Sequence, residues 1–173
     1  MNINDSKHVF IEHPLPPLYD KNSRILILGS FPSIKTRAAG FFYGHPQNRF
    51  WPMLSALLQI EPPLKATEPK RATEVLLRRR IALWDSISSC EIIGSSDSSI
   101  RNVKPNNFDA IFSAAQIRHV FCNGAAAYNY FLKHQDLPTA VGLSRMPSTS
   151  PANAAKSLDA LIKDWSVILD YLD

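Results

Sequence analysis

The feature that most constrains the fold is an unbroken run of four aliphatic residues, 25–28, which ends at Gly29. A half-exposed strand alternates apolar and polar residues, whereas a continuous apolar run suits a strand buried on both faces of a parallel sheet. Residues 81–85 and 119–122 form two similar runs, and residues 139–141 give a short fourth candidate. The chain therefore predicts four short strands, most of them parallel.

Helical segments separate these strands. The pattern predicts helices over residues 50–58, 70–80 and 125–134, a short one from about residue 107 to 115, and a last one over residues 152–172. The apolar residues of the last segment recur every three or four positions, as in a helix with one buried face. The alternation predicts an α/β fold: a three-layer sandwich with a short, mostly parallel four-stranded sheet flanked by helices.

The length of 173 residues suits one domain. Residues 1–23, which hold three prolines, predict an extended N-terminal arm, and residues 24–173 predict a single domain. Hydrophobic residues make up 45% and charged residues 20%, the balance of a soluble globular protein. We expect no membrane segment and no secretory leader, and therefore a cytoplasmic protein.

The cysteine count limits the chemistry of the chain. Cys90 and Cys122 are too few for a disulfide framework or a four-thiolate metal centre. No histidine and cysteine residues have the spacing of a zinc site, so we expect neither a metal nor a cofactor. The net charge of +4 permits a polyanionic partner without establishing one.

The loops after the predicted strands hold the candidate binding residues. In parallel sheets ligands bind at the carboxyl ends of the strands, and the loops at residues 29–33, 94–99 and 146–151 are rich in glycine, proline and serine. The Gly29 loop lacks the lysine of a phosphate-binding loop, and an ordinary turn is the favoured interpretation. Asp85 and Asp97 follow the second strand, and we interpret both as turn or cap residues.

The densest stretch, residues 41–51, interleaves aromatic rings with histidine, amide and arginine side chains. Flat rings can stack on an unpaired nucleobase, and amides can pair with its edge. For Phe50 and Trp51 we favour packing in the core. For Tyr43, His45 and Asn48 a structural role, such as capping the next helix by Asn48, and a functional role both stay open.

Hydroxyl groups dominate the loop at residues 146–151. Serine and threonine side chains can contact a DNA backbone, although a proline-stiffened connection is the favoured interpretation when this loop is considered alone. The basic residues between positions 65 and 80 are interpreted as a solvated helix face.

Three stretches, taken in order, resemble motifs of the uracil-DNA glycosylase superfamily. They are Gly-Ser-Phe-Pro at residues 29–32, Tyr-Gly-His-Pro-Gln-Asn-Arg-Phe-Trp at 43–51, and Met-Pro-Ser-Thr-Ser-Pro at 146–151. The resemblance is strongest to the hypoxanthine-DNA (deoxyinosine) glycosylase branch, which is related to the mismatch-specific uracil/thymine enzymes. It implies a base-excision repair enzyme that hydrolyses the N-glycosidic bond of a deaminated base.

The resemblance also implies roles for single residues. The catalytic asparagine of the mismatch branch falls on Phe31, which cannot orient water, and the hypoxanthine branch relies instead on the asparagine that corresponds to Asn48. The ring that stacks on the base falls on Tyr43. The implied base pocket is Gly29, Ser30, Phe31, Tyr43 and His45, and the implied DNA-contacting residues are Ser148, Thr149 and Ser150.

We therefore predict a monofunctional DNA glycosylase, because the matched motifs hold no lysine nucleophile. Its substrate is double-stranded DNA with a damaged base, most of all hypoxanthine. We expect a monomer without cofactor, associated with the nucleoid if the source is a prokaryote. The alternatives are a uracil or mismatch-specific glycosylase, a non-catalytic module that binds damaged DNA, and a small-molecule enzyme that binds phosphate at the Gly29 loop.

Overall fold

The computed structural model describes residues 7–173. A parallel four-stranded sheet forms its centre, in the order β3-β2-β6-β7. These strands are β2 (Ile25–Gly29), β3 (Ile81–Asp85), β6 (His119–Asn123) and β7 (Gly142–Met146). The fold class predicted from the sequence is confirmed, since helices cover both faces of this sheet.

Two groups of helices make the outer layers. The first group is α2 (Phe50–Leu58), α3 (Pro69–Arg78) and α6 (Leu158–Trp165), and it packs on the sheet face that carries Ile25, Ile27 and Leu83. The second group is α4 (Asp109–Ala114) and α5 (Ala125–His134), and it packs against Leu26 and Leu28. Every residue of β2 is buried, because successive side chains enter opposite cores.

A second, antiparallel sheet lies beside this frame, and the sequence patterns do not predict it. It consists of β1 (Val9–Glu12), β4 (Ile87–Ile92) and β5 (Arg101–Pro105), in the order β1-β4-β5. Part of the predicted N-terminal arm therefore contributes a strand, and Leu18 forms a bridge to Leu83. The proposed boundary at residue 23 stays a prediction.

Short helical elements complete the connections. Helix α1 (Ile34–Ala39) follows the Gly29 loop, with Ser33 as its N-cap, and 3-10 turns lie at Asp97–Ser99 and Ser166–Tyr171. None of the helices in the described range is long and apolar enough to cross a membrane.

The fourth strand does not lie at residues 139–141, as predicted. Residues 138–141 form a turn in which the Val141 N–H donates to the Pro138 carbonyl. Pairing begins at Gly142, opposite His119. A β-carbon at position 142 would lie 2.3 Å from His119 Nδ1, so the strand start is a residue without a side chain. The prediction was wrong because the β-branched residues Thr139 and Val141 of the turn are typical of strands.

The last helix is also shorter than the predicted span of residues 152–172. Helix α6 begins after its N-cap Ser157, and the chain continues as a 3-10 turn after Trp165. The segment before Ser157 consists of turns, because its carbonyl groups bind the Arg49 guanidinium instead of amide groups of a helix. Periodicity alone does not reveal this competing partner.

Candidate active site

A pocket opens where strands β2, β3 and β6 of the parallel sheet end. It contains about 570 Å³ of space free of protein atoms, its open mouth included. Its lining joins residues from distant parts of the chain: Gly29, Ser30, Phe31, Pro32, Ser33, Thr36, Phe42, Tyr43, Asn48, Asp85, Asp97, Asn123, Ser148, Thr149 and Ser150. The structure thus brings together eight of the nine residues that the sequence analysis selected.

His45 is the selected residue that does not line the pocket. Its Nδ1 atom accepts a hydrogen bond from the Gln47 N–H (3.0 Å), within its own turn. That turn also contains the hydrogen bond from the Asn48 N–H to the His45 carbonyl (2.9 Å). In this structure His45 shapes the loop that precedes α2, and a contact of His45 with the base stays a prediction.

The Gly29 loop forms one wall of the pocket. Gly29 lies against Asp85: a β-carbon on Gly29 would be 2.3 Å from Asp85 Oδ1 and 3.5 Å from the Tyr43 hydroxyl. Ser30 Oγ donates to Asp97 Oδ1 (3.0 Å). Phe31 is buried against the side chains of β4, so it serves both as a wall of the pocket and as part of a small core.

Asp85 is neither a turn nor a cap residue, which corrects the interpretation from the sequence. It ends β3, only 5% of its surface is exposed, and its Oδ2 atom lies 2.6 Å from His13 Nε2. The Leu15 N–H donates to His13 Nδ1 (3.1 Å), so Nδ1 is unprotonated and Nε2–H is the donor to the carboxylate. No sequence pattern near residue 13 predicts this role of His13, because its partner lies 72 residues away along the chain.

Asn48, Thr149 and Asn123 form a chain of hydrogen bonds across the pocket wall. Thr149 Oγ1 donates to Asn48 Oδ1 (2.9 Å) and accepts from Asn123 Nδ2 (2.9 Å). The Phe50 N–H also donates to Asn48 Oδ1 (2.9 Å), at the start of α2. The N-cap position of α2 is Arg49, so Asn48 instead closes the turn that leads into the helix, and it lines the pocket as well.

Tyr43 has a strained backbone and a buried hydroxyl. Its φ of 53° lies in the left-handed region, which a tyrosine rarely adopts. The ring stacks on Phe50 with 3.9 Å between centroids, so one of its faces is covered. Burial, with a smaller contribution from the Asp85 charge, raises the pKa of Tyr43 above its usual value. The phenol is therefore neutral, and a base could stack only on its other face.

Hydrogen bonds from Arg49 and Asn153 hold the hydroxyl-rich loop at residues 146–151 in place. Arg49 Nη2 donates to the carbonyls of Ser150 and Asn153 (both 2.8 Å), and Nη1 donates to the carbonyl of Lys156. Asn153 Nδ2 donates to the Ser148 carbonyl (2.9 Å). Arg49 is a residue that the sequence analysis did not select, although its place beside Asn48 was a usable signal.

Two acidic side chains, Asp85 and Asp97, line the pocket. Asp97 lies on an exposed turn, but its carboxylate faces Ser30. Loss of hydration raises the pKa of Asp97. The hydrogen bond from Ser30 lowers this pKa, and the nearby charge of Asp85 raises it further. Such a site suits a substrate that develops positive charge. Within residues 7–173 no three histidine, cysteine or acidic side chains are grouped as metal ligands.

The comparisons with known proteins agree with this geometry. The family model described as the uracil DNA glycosylase superfamily matches residues 16–169. A hypoxanthine DNA glycosylase from Methanosarcina barkeri is 31% identical over 154 residues, covering 87% of this chain and 93% of that protein. One from Methanosarcina acetivorans is 33% identical over 146 residues, covering 83% and 89%.

A solved structure shares the fold. The solution NMR structure of a proposed uracil DNA glycosylase from Methanosarcina acetivorans superposes with a TM-score of 0.75 at 26% identity, and the match covers 95% of this chain and 99% of that one. The family match and the two named relatives make this protein a DNA glycosylase, a hydrolase of N-glycosyl bonds, and the polar pocket at the carboxyl edge of the parallel sheet agrees with that class. The chain belongs to the uracil DNA glycosylase superfamily.

Proposed function

We propose that this protein hydrolyses the N-glycosidic bond of hypoxanthine in damaged double-stranded DNA. The observation that carries the proposal is that Asp85 and Phe31 line the same pocket. The two relatives that bear the name hypoxanthine DNA glycosylase support it. The target base leaves the helix and enters the pocket, which is easiest for a mispaired base.

Asp85 supplies the preference for a deaminated base. Its Oδ2 atom is occupied by His13, whereas Oδ1 accepts no hydrogen bond from the described residues. Hypoxanthine carries a proton on N1 and can donate it to Oδ1, whereas adenine has a bare acceptor nitrogen at that position. With adenine bound, the Asp85 carboxylate would face the acceptor nitrogen N1 and would have no donor. Asp85 therefore selects hypoxanthine over adenine. Guanine shares the N1 proton and is therefore not excluded by this contact.

The reaction needs positioning and electrostatic stabilisation. Water oxygen adds to C1′ of the sugar, the bond from C1′ to the base breaks, and its electron pair leaves with the base; the proton released from the water passes to solvent. The carboxylate of Asp97, which also lines the pocket, stabilises the positive charge that develops on the sugar. Asn48 positions the water and cannot act as a base, because an amide binds no proton near neutral pH.

The type of reaction follows from the lining of the pocket. No lysine is among the residues of the described chain that line it, so a covalent imine with the sugar has no nucleophile there. We infer a monofunctional enzyme that leaves an abasic site and does not cut the strand. We further propose that it acts as a monomer, in the compartment that holds the DNA, with Ser148 and Ser150 near the DNA backbone. The Thr149 side chain is completely buried and does not take part in that contact.

The test is a set of matched duplexes with one damaged base each, assayed for abasic-site formation in single-turnover conditions. The assay includes a chelator, which is expected to leave the rate unchanged because no metal takes part. Release of hypoxanthine supports the proposal, and binding of the lesion without release of any base contradicts it in favour of a non-catalytic module. Undamaged DNA should compete in a salt-dependent way, which a small-molecule enzyme would not show.

A further inference from the structure

We propose that Thr149 is a positioning residue that locks the Asn48 carboxamide with its NH₂ group toward the pocket. Asn48 then acts on the substrate or the attacking water as a hydrogen-bond donor through Nδ2. This inference rests on the proposed glycosylase function and specifies how its site is held together. It follows from the directions of four hydrogen bonds: three form a series in which each direction is fixed by the one before it, and the fourth is independent.

The first hydrogen bond whose direction is certain is donated by a backbone amide. The Thr149 N–H donates to one amide atom of Asn123 (2.9 Å), and because a backbone N–H is always a donor, that atom is the carbonyl oxygen Oδ1. The other amide atom of Asn123, Nδ2, must then donate to Thr149 Oγ1 (2.9 Å). The orientation of Asn123 is thus determined by its surroundings.

The Thr149 hydroxyl in turn fixes the orientation of the Asn48 carboxamide. Because its oxygen accepts from Asn123, its proton is free to donate to the atom of Asn48 that lies 2.9 Å away. The Phe50 N–H donates to the same atom (2.9 Å). An atom that receives two donors is a carbonyl oxygen, so Asn48 Oδ1 is fixed independently by a backbone amide and by Thr149.

Both lone pairs of Asn48 Oδ1 are then occupied. The group that remains for the pocket is Nδ2, with two protons to donate. Such a group can hold a water through one lone pair while the other faces the sugar, or it can stabilise the negative charge on the departing base. It cannot accept a proton from the water. Thr149 is completely buried, which keeps solvent from competing for these bonds.

The first experiment replaces the hydroxyl group of Thr149. Thr149→Val keeps the shape of the side chain and removes both hydrogen bonds, and we expect the single-turnover rate on hypoxanthine DNA to fall by at least about 10-fold, the effect of losing one positioned hydrogen bond. Thr149→Ser should recover most of that loss. Thr139→Val, at an exposed turn remote from the pocket, is the matched control and should keep the original rate.

The second experiment separates positioning from general loss of packing. If Thr149 acts through Asn48, the rate loss caused by Thr149→Val should be small in a background that already carries Asn48→Ala. A loss of equal size in both backgrounds would overturn the proposal, as would Thr149→Val with an unchanged rate.

The third experiment tests the donor directly with Asn48→Asp. Aspartate can accept the bonds from Phe50 and Thr149 but has no amide protons, so we expect a rate as low as that of Asn48→Ala. A rate close to that of the original protein would show that an acceptor suffices and would overturn the inference. All three experiments use the rate of the unmodified protein as reference. If that protein releases no base, the proposed function fails first and separately.

Discussion

Gly29 and Asp85 are packed so closely that no side chain fits between them: a β-carbon on Gly29 would lie 2.3 Å from Asp85 Oδ1. The carboxylate cannot move away easily, because His13 holds its other oxygen at 2.6 Å. We therefore expect Gly29→Ala to displace the carboxylate and to lower the single-turnover rate by about 10-fold or more. Overpacking should also lower the free energy of unfolding by about 1–3 kcal/mol.

Gly142→Ala provides the matched control for that variant. Its added β-carbon would meet His119 Nδ1, also at 2.3 Å, but in β7 at the edge of the sheet opposite the pocket. We expect a similar loss of thermal stability with a normal rate for the folded enzyme. Equal rate losses in both variants would show that Gly29 matters only for packing.

Asn48→Ala should lower two quantities. The rate of base release should fall by roughly 100-fold or more, the scale of losing a positioned catalytic group. The free energy of unfolding should fall by about 1 kcal/mol, because the Phe50 N–H loses its acceptor. Affinity for lesion DNA should change little, since phosphate contacts dominate it.

The neighbouring Gln47→Ala is the control for Asn48, because Gln47 is exposed and outside the pocket lining. Its rate and its melting temperature should resemble those of the unmodified protein. A normal rate with a lowered melting temperature in Asn48→Ala would show that Asn48 has only a structural role at the start of α2 and would contradict its catalytic role.

Asp85→Asn tests how the base is selected. The substitution keeps the size of the side chain but removes the negative charge and places an amide beside the pocket. We expect slower release of hypoxanthine and a smaller ratio of the hypoxanthine rate to the adenine rate, measured on duplexes that differ only in that base. An unchanged ratio would mean that Asp85 does not contact the base edge.

Arg49→Lys tests how the hydroxyl-rich loop is supported. A lysine keeps the charge but cannot donate to three carbonyls at once, so we expect the loop to loosen and the affinity for lesion DNA to fall by about 10-fold. Arg71→Lys is the control, since Arg71 also donates to two carbonyls, those of Pro62 and Pro63, on an exposed surface. Equal affinity in Arg49→Lys and the unmodified protein, measured by titration, would contradict this role.

The sequence predicts those features that depend on local pattern. The buried run at residues 25–28 predicts β2. The spacing of apolar residues predicts α2, and the alanine-rich and aromatic composition of residues 125–134 predicts α5, both at their observed bounds. The resemblance predicts a pocket built from three separated motifs, and the structure brings those motifs together.

The remaining features depend on contacts between distant residues. The second sheet requires β1 to pair with β4, which is about 80 positions away along the chain. His13 acquires its role only through Asp85, 72 residues away. Arg49 delays the start of the last helix by binding carbonyls about 100 positions away. No local pattern near any of these residues contains its partner.

Base release from matched duplexes that contain hypoxanthine, uracil or adenine, compared under single-turnover conditions, decides which base this protein prefers. We predict the fastest release for hypoxanthine and negligible release for adenine, because Asp85 is proposed to accept the N1 proton of hypoxanthine. By the resemblance, Phe31 occupies the place of the amide that the mismatch-specific uracil/thymine branch uses, so uracil should be released more slowly. Release of uracil at an equal or higher rate would contradict it.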